Sequence, residues 1–355
     1  MKEAIFHFPT DGRPVDCSQI KSGHINGTYL VTTDTGAKYI LQWINQFVFP
    51  NVDALMNNMS KISGYLKSRS GEKTAMICYM DTLDGKNYYD DGEGGCWRMY
   101  RFVDNSISLQ QAESVEDMTE CARAFGQFQY VLRDFPAETL EETLVNFHNT
   151  PDRYRQLREA VEKDAKGRLP GVRDELRFVL EREEPAGELQ RMRERGELPV
   201  RVTHNDTKIN NVLLDADTRR ALCVIDLDTV MPGLSAYDFG DAIRYGASTG
   251  AEDEPDLSLV DLDLEMYAAF ARGFLEACPS LTEREIEVLP LGAYTMTVEC
   301  GMRFLTDYIN GDVYFAIDRE THNLDRARTQ FKLVRDMERH WDDMRRIITE
   351  ISAKR

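Results

Sequence analysis

One stretch of the sequence, residues 202–241, constrains the fold and chemistry of this chain more than any other. Its first part, HNDTKINN at residues 204–211, has the order His, any residue, Asp, four further residues and Asn. Its second part, residues 212–226, has two apolar runs on either side of a polar turn and ends in Asp226. This order predicts a polar loop that leads into a β-hairpin, with an acidic residue directly after the second strand.

These side chains are the ones that phosphoryl transfer requires of a protein. One carboxylate accepts the proton of the nucleophile, and an amide oxygen and a second carboxylate hold Mg²⁺ on the nucleotide phosphates. We predict Asp206 as the catalytic base, and Asn211 and Asp226 as the metal ligands. A hairpin can bring Asn211 and Asp226 together because it folds the chain back beside its start. The polar run alone is equally typical of a solvated turn, so it leaves both interpretations open.

The loop, the hairpin and the following acid resemble those of the aminoglycoside phosphotransferase family, small-molecule kinases with a protein-kinase-like fold. The similarity extends over nearly the whole chain and includes GHINGTYLVTTD, FGQFQ, VECGMRFLTDY and HNLDRARTQFKLVR. Most members have glycine where this chain has Asn205. HNDTKINN, followed by IDLDTVMPG, is most similar to the subgroup that phosphorylates the anomeric (C1) hydroxyl of N-acetylglucosamine and N-acetylgalactosamine.

The resemblance implies an α+β fold in two lobes, a small antiparallel-sheet N-lobe and a large, mostly helical C-lobe. We expect the nucleotide-binding N-lobe at residues 1–104, with the hinge at its end. The C-lobe, with the catalytic loop, metal site and sugar pocket, is expected at residues 105–355. A chain of 355 residues is long enough for two lobes that each bury a core.

Local patterns predict the elements of both lobes. Residues 6–19 read as a lead-in helix or coil, and residues 28–42 as a hairpin around Asp34-Thr35-Gly36. The remaining predicted segments are a helix at 51–66, strands at 74–79 and 96–103 joined by a mobile loop at 81–95, a helix from a cap at Ser114, two charged helices within 152–195, and helices at 262–277, from Thr282, at 292–308 and at 322–351.

The resemblance also implies where the nucleotide binds. Kinases of this fold place a phosphate-binding lysine where this chain has Gln42. Lys38 or Arg101 is the alternative source of the missing charge, and Gln42 itself is a neutral donor; the sequence leaves these open. Glycines within residues 22–27 either bring backbone N–H groups to the phosphates or form a plain turn. The expected nucleotide contacts are Thr28, Gln42 and the hinge backbone of Tyr100, Arg101, Phe102 and Val103, of which Tyr100 and Phe102 are alternatively strand core positions.

For the sugar, the resemblance implies contacts from Asp206, Asp228, Arg303 and Tyr314. Judged from the residues alone, Asp228 is on the same side of its strand as Asp226, or caps a turn at 231–233. Arg303 alone would be interpreted as a salt-bridge partner. Asp238 is not expected to bind the metal, because the metal-binding acid should directly follow the hairpin. The resemblance implies instead that Asp238 is structural and ties the catalytic loop in place.

Composition limits the kinds of binding partner and the cellular location that we expect for this protein. A formal net charge of −18 argues against a nucleic-acid surface, which needs clustered Lys and Arg. The seven cysteines are scattered and read as buried hydrophobes in a reducing compartment. Neither a signal peptide nor an apolar run of the ~20 residues of a membrane span is evident. We therefore expect a cytoplasmic protein, monomeric by preference, whose partners are a small sugar and ATP with Mg²⁺.

Three functions are consistent with these features. The first is an ATP- and Mg²⁺-dependent kinase of the C1 hydroxyl of N-acetylhexosamines. The second is a kinase of another small molecule, of the aminoglycoside, homoserine or choline type; a cationic substrate would require several carboxylates around the pocket. The third is a catalytically silent nucleotide or sugar sensor, which Gln42 in place of the lysine would suit. The presence of Asp206, Asn211 and Asp226 argues against the sensor.

Overall fold

An antiparallel sheet of six strands forms the N-terminal part of the molecule, in the order β1-β2-β3-β6-β4 with β5 paired to β6. The computed structural model describes residues 2–20, 25–68 and 76–355. The strands are β1 (Pro14–Ile20), β2 (Gly27–Thr33), β3 (Lys38–Trp43), β4 (Tyr79–Met80), β5 (Tyr89–Asp90) and β6 (Cys96–Arg101).

The hairpin predicted at residues 28–42 is confirmed as β2 and β3. Its turn requires glycine, since Gly36 has a φ of +83°. Inward-facing residues of the sheet, Val31, Leu41 and Met99, pack against Ile5 from the preceding 3₁₀ turn. The register of β3 against β6 sets Gln42 opposite Arg98.

The helix or coil predicted at residues 6–19 is wrong for the second part of this segment, because β1 begins at Pro14. β1 is an edge strand that pairs only with β2 and leaves most of its side chains exposed. An edge strand of this kind lacks the alternation of apolar and polar residues that identifies a strand from sequence.

The helix predicted at residues 51–66 is confirmed as α1 (Val52–Ser68). Its Met59 and Ile62 pack with Ile40 and Tyr100 of the sheet. The loop predicted at 81–95 contains the short strand β5. Parts of two predicted features, the glycine-containing segment 22–27 and the strand 74–79, lie outside the described residues.

Short strands in the C-terminal part carry the catalytic loop. They are β7 (Ser106–Ile107), β8 (Arg201–Thr203), β9 (Val212–Asp215), β10 (Ala221–Val224) and β11 (Met231–Gly233), in the orders β10-β9-β7 and β11-β8. The hairpin predicted after the loop is therefore confirmed. The turn predicted at 231–233 is wrong, because these residues pair with β8 as a strand.

Helices form the rest of the C-terminal part, and α10 packs against α3, α7 and α11. The helices are α2 (Val115–Val131), α3 (Thr150–Lys163), α4 (Arg173–Leu180), α5 (Glu183–Ala186), α6 (Glu188–Glu194), α7 (Ser235–Gly246), α8 (Leu264–Ala277), α9 (Glu283–Glu287), α10 (Leu289–Asn310), α11 (His322–Arg339) and α12 (Trp341–Ser352). The caps predicted at Ser114 and Thr282 are confirmed.

Two of the helical predictions are wrong in detail. The segment 152–195 forms four helices rather than two, with a 3₁₀ turn at Leu169–Gly171. The helix predicted at 322–351 breaks at His340, after which the ring of Trp341 packs edge-on against Tyr294.

The fold is thus the predicted α+β class, with an antiparallel sheet in the N-lobe and a helical C-lobe. The lobe boundary at residue 104 stays a prediction. Within residues 2–20, 25–68 and 76–355, none of the helices is both long enough and apolar enough to cross a membrane. All seven cysteines are free thiols.

Candidate active site

The catalytic loop, residues 204–211, connects β8 to β9. Within it Asn205 has a φ of +64°, a left-handed conformation that glycine and asparagine adopt more readily than other residues. The conformation explains how asparagine can replace the glycine of most family members. The Asn205 amide also donates to the Thr229 carbonyl at 2.8 Å and accepts from the Thr203 hydroxyl at 2.9 Å. These bonds join the loop to β8 and to the chain before β11.

Two acidic residues one turn apart on α7 anchor the backbone of the loop. The fully buried carboxylate of Asp238 accepts the N–H groups of His204 at 3.0 Å and Asn205 at 2.7 Å. Asp241 accepts the N–H of Thr207 at 2.8 Å. The structural role predicted for Asp238 agrees with these contacts.

Asp238→Asn is expected to loosen the loop. Its carboxylate also accepts from Nε2 of Gln129 at 2.7 Å, and an asparagine nitrogen cannot accept any of these bonds. An unpaired buried donor costs about 1–3 kcal/mol, so the free energy of unfolding in urea should fall by that amount. Because the loop carries Asp206, the predicted catalytic base, kcat should fall at least about tenfold. Asp16→Asn, on the exposed face of β1, is the matched control; a folded Asp238→Asn variant with unchanged kcat would contradict the anchoring role.

Asp206 lies on the open side of the loop, with 29% of its side chain exposed. Nδ2 of Asn211 donates to its carboxylate at 3.1 Å and to its main-chain carbonyl at 2.8 Å. The ammonium group of Lys208 is 3.4 Å from Oδ1 of Asp206. Lys208 was not singled out in the sequence, although its position two residues after the base was a usable signal.

The charge state of Asp206 follows from these neighbours. Burial alone would raise the pKa of Asp206, but Lys208, together with His204 and Arg244, holds this pKa below its ordinary value. Asp206 is therefore an ionised, weakly basic carboxylate at neutral pH. Such a group orients a hydroxyl throughout the reaction and takes its proton late, as a loose transition state requires.

The hairpin brings the second predicted metal ligand beside the first. The N–H of Ile225 donates to the carbonyl of Asn211 at 2.9 Å, so Asp226 directly follows a bond to the end of the loop. Asp226 is exposed and has a φ of +57°, an unusual conformation for aspartate. Because Nδ2 of Asn211 is bonded to Asp206, its Oδ1 is the atom left for a metal. Two hard oxygen donors fit Mg²⁺, which takes its other ligands from phosphates and water.

Three carboxylates, Asp206, Asp226 and Asp228, form what we call the acidic site. Although part of the Asp226 side chain is exposed, desolvation by the surrounding protein raises its pKa to about 7, and repulsion from Asp228 and Asp206 adds to the shift. The cations Arg98 and Lys208 act in the opposite direction. A divalent cation would relieve this repulsion, which supports the assignment of Asp226 as a metal ligand.

Asp228 does not share the surroundings of Asp226, although both were predicted on one side of a strand. It lies in a 3₁₀ turn, is 3% exposed and forms an ion pair with Arg98. Its other oxygen accepts from Nδ2 of Asn26 at 2.5 Å. Both partners belong to the N-lobe, so this geometry does not favour the predicted sugar contact of Asp228. Nothing in the sequence marked Arg98 or Asn26, because only the folded register brings them here.

The predicted nucleotide residues divide into two groups. Nε2 of Gln42 is 3.4 Å from the Thr28 hydroxyl, so these two lie together on adjacent strands. At the predicted hinge, the N–H of Phe102 is already bonded to the Lys38 carbonyl at 3.0 Å. Among the described residues the Val103 amide has no such partner and is the better candidate for adenine.

The other side chains at the predicted hinge contact the protein itself. Tyr100 is buried in the sheet, as the strand-core alternative predicted. Arg101 points to the exposed side and pairs with Asp11 at 2.7 Å, while the Lys38 ammonium lies 5.7 Å from the Phe102 ring centroid. Neither Lys38 nor Arg101 lies beside Gln42; the cation found there is Arg98, at 3.0 Å.

Arg303 of α10 lies among aromatic rings. Its guanidinium carbon is 5.1 Å from the ring centroid of Phe147, 5.5 Å from that of Phe315 and 6.0 Å from that of Tyr314. Within the described residues Arg303 forms no ion pair, so the salt-bridge alternative is not observed. Distances of this size allow cation–π attraction.

The loop after α10 is built around one buried carboxylate. Asp307 accepts the backbone N–H groups of Val313, Tyr314 and Phe315 at distances of 2.9–3.0 Å. A fourth donor is Nδ2 of Asn323, at 3.0 Å. Asp307 thereby fixes Tyr314 beside Arg303, with 48% of the tyrosine exposed.

His148 connects this aromatic cluster to the catalytic loop. Its Nε2 donates to the Asn205 carbonyl at 3.0 Å, and its Nδ1 faces the buried Glu299 carboxylate at 2.8 Å. Its neighbour Phe147 packs against Arg303. Phe147 and His148 therefore connect Arg303 to Asn205, the residue before the predicted base Asp206, a relation that spacing in the sequence could not reveal.

Comparison with known proteins identifies the family and the fold of this chain. The sequence profile of the phosphotransferase enzyme family matches residues 16–275, well over half of the chain. The fold is similar to that of an aminoglycoside phosphotransferase from Alicyclobacillus acidocaldarius, with 13% identity and a TM-score of 0.63 over 98% of this chain and 96% of that one.

Two further solved structures have the same fold. Choline kinase from Cryptosporidium parvum is 15% identical, with a TM-score of 0.57 over 92% of this chain and 90% of its own. An amicoumacin kinase in complex with AMP-PNP, Ca²⁺ and Ami is 13% identical, with a TM-score of 0.58 over the same shares of the two chains. By its matched residues and its fold, this chain belongs to the phosphotransferase enzyme family.

Proposed function

We propose that this phosphotransferase is an N-acetylhexosamine 1-kinase, which transfers the γ-phosphoryl group of ATP to the anomeric hydroxyl of N-acetylglucosamine or N-acetylgalactosamine. The observation that carries the proposal is the joined arrangement of Asp206, Asn211 and Asp226. Asn211 is bonded to Asp206 and its main chain to the residue before Asp226. The base and the metal ligands thus form one rigid unit, as direct phosphoryl transfer needs.

In the proposed reaction Asp206 accepts a hydrogen bond from the anomeric hydroxyl and holds its oxygen in line with the γ-phosphorus. The hydroxyl proton passes to a carboxylate oxygen of Asp206 as the new O–P bond forms, while the bond between the γ-phosphorus and the β–γ bridging oxygen breaks and ADP leaves. Lys208, 3.4 Å away, keeps this carboxylate ionised until then. Mg²⁺, held by Asn211 and Asp226, would neutralise charge on the phosphate oxygens. The related amicoumacin kinase structure, with AMP-PNP and Ca²⁺, supports a nucleotide and a divalent cation as partners.

The charge near Arg303 supports a neutral acceptor over a cationic one. Burial, with repulsion from Arg303, lowers the pKa of Arg153 to about 10. Two guanidinium groups close together would repel the ammonium group of a choline-type or aminoglycoside substrate. A sugar with an acetamido group offers a carbonyl acceptor to Arg303 and a flat edge to Tyr314. We therefore assign Asp206, Arg303 and Tyr314 to the sugar pocket.

The test is phosphate transfer from ATP and Mg²⁺ to the two N-acetylhexosamines and to their 1-O-methyl glycosides. We expect both free sugars to be phosphorylated, with the product position read by phosphorus NMR, and the glycosides to be inert because their C1 oxygen is blocked. Choline and an aminoglycoside serve as alternative acceptors. Equal reaction of the glycosides would contradict C1 as the target, and reaction of choline alone would contradict the sugar.

A further inference from the structure

A fully buried arginine lies behind the residue that occupies the usual lysine position. The register of β3 and β6 sets Arg98 opposite Gln42, and Arg98 has 0% exposure. Its Nε donates to Oε1 of Gln42 at 3.0 Å, and the guanidinium forms an ion pair with Asp228. Cζ lies 4.5 Å from the ring centroid of Tyr79. Arg98 is thus held on three sides by the sheet and the C-lobe.

Arg98 determines which way the Gln42 amide points. Guanidinium nitrogens only donate hydrogen bonds, so the Gln42 atom that faces Arg98 must be the carbonyl Oε1. The amide nitrogen Nε2 therefore faces the opposite side, towards the Thr28 hydroxyl at 3.4 Å. Gln42 and Thr28 are half-buried, unlike Arg98. The accessible group at this position is an N–H donor.

The charge of Arg98 is neutralised by a residue of the protein itself. Its ion-pair partner Asp228 is 3% exposed, so the two charges compensate each other away from solvent. A guanidinium that is covered by Asp228 and Tyr79 cannot also contact a nucleotide. The half-buried Gln42 amide remains as the polar group of this pair that a phosphate can reach.

We propose that Arg98 and Gln42 form one phosphate-binding unit, in which Arg98 is a positioning residue that turns Nε2 of Gln42 towards the phosphates of ATP. In this unit a neutral N–H donor binds the phosphate in place of a lysine. A neutral donor can suffice because a hydrogen bond to a charged phosphate oxygen is stronger than one between two neutral groups. The inference rests on the proposed function only in taking a nucleoside triphosphate as the ligand. It does not depend on which acceptor is phosphorylated.

Gln42→Glu separates this role from a purely structural one. Glutamate keeps the size of the side chain and gives Arg98 a charged acceptor, so the thermal midpoint should not fall. The substitution removes the donor and sets a negative charge beside the phosphates. On the full chain with Mg²⁺, we expect calorimetric AMP-PNP affinity to fall at least about tenfold. Affinity for adenosine, which lacks phosphates, should change less than about twofold.

Two further variants sharpen the test. Gln19→Glu, exposed on β1 of the same sheet, makes the same chemical change without the contact to Arg98 and should bind AMP-PNP normally. Arg98→Lys keeps the charge but lacks the fork that reaches Gln42 and Asp228 together, so it should weaken AMP-PNP more than adenosine.

The inference would be overturned if Gln42→Glu bound AMP-PNP as the parent does, or lost AMP-PNP and adenosine equally. Failure of the proposed sugar kinase would give a different pattern. In that case the free sugars would not be phosphorylated, while the phosphate-specific loss in Gln42→Glu would persist.

Discussion

Replacement of Asp206 by asparagine should abolish turnover while leaving the nucleotide site intact. We expect kcat for N-acetylglucosamine to fall by about 10²–10⁴-fold, the range for loss of a positioned acid or base. Asparagine keeps the size of the side chain but can neither take the proton nor neutralise Lys208. Because we assign Asp206 to the acceptor and not to the adenine, AMP-PNP affinity should stay within about twofold of the parent. A coupled assay of ADP release measures kcat, and calorimetry measures the affinity for AMP-PNP.

The control for this variant is Asp217→Asn at the exposed tip of the adjoining hairpin, which should be fully active. An Asp206→Asn variant that retains a tenth or more of the parent kcat would refute the role of Asp206 as base. Joint loss of turnover and AMP-PNP binding would instead indicate that the loop had collapsed, which the Asp238 anchor should prevent.

Asp226→Asn should have two opposite effects. Loss of the carboxylate that we propose as a metal ligand should lower kcat/KM by at least about 10³-fold, because charge neutralisation dominates phosphoryl transfer. The metal-free protein should nevertheless become more stable at pH 8, since the ionised Asp226 carboxylate is desolvated there and is repelled by Asp228 and Asp206. The measurements are steady-state kinetics with varied Mg²⁺ and thermal unfolding in chelator.

The stability effect has a defined pH dependence. Folding raises the pKa of Asp226 to about 7, whereas an unfolded aspartate titrates near 4. Between these values the folded chain binds more protons than the unfolded chain, so stability falls as pH rises from about 4 to 7. Asp226→Asn removes this component. Its thermal midpoint should therefore exceed that of the parent by more at pH 8 than at pH 5.

Asp217→Asn again serves as the control, because its carboxyl lies at the exposed hairpin tip. If Asp226→Asn were destabilised at pH 8 as much as the parent is, the repulsion would have to come from other residues. Normal Mg²⁺-dependent activity in Asp226→Asn would contradict the metal assignment outright.

The catalytic loop could be predicted from sequence because its contacts are local. Asn211 and Asp226 are joined by a hairpin of ordinary length, and the apolar runs on both sides fix where its strands lie. The same pattern excluded Asp238 as the metal ligand, since only one acid can directly follow the hairpin, and its structural role followed from the family resemblance. These features depend on short-range geometry that the residue pattern contains.

The partners of Asp228 could not be predicted, because they depend on how distant segments meet. Arg98 reaches Asp228 only through the register of β6, and Asn26 reaches it from the start of β2. In the sequence Arg98 is an unremarkable residue of an apolar strand. The strand β1 could not be predicted for a related reason. Because it lies at the edge of the sheet, its sequence lacks the alternation of apolar and polar residues that would have identified a strand.

The ion pair of Arg98 and Asp228 has a mechanical consequence. It attaches the N-lobe to the chain two residues beyond Asp226, and Asn26 attaches the same carboxylate to β2. Nearby, the N–H of Ile77 donates to the Val224 carbonyl at 3.2 Å. A rotation of the N-lobe therefore pulls on both sides of Asp226. If Asp226 binds the metal as we propose, such a rotation would also change the spacing of the metal ligands.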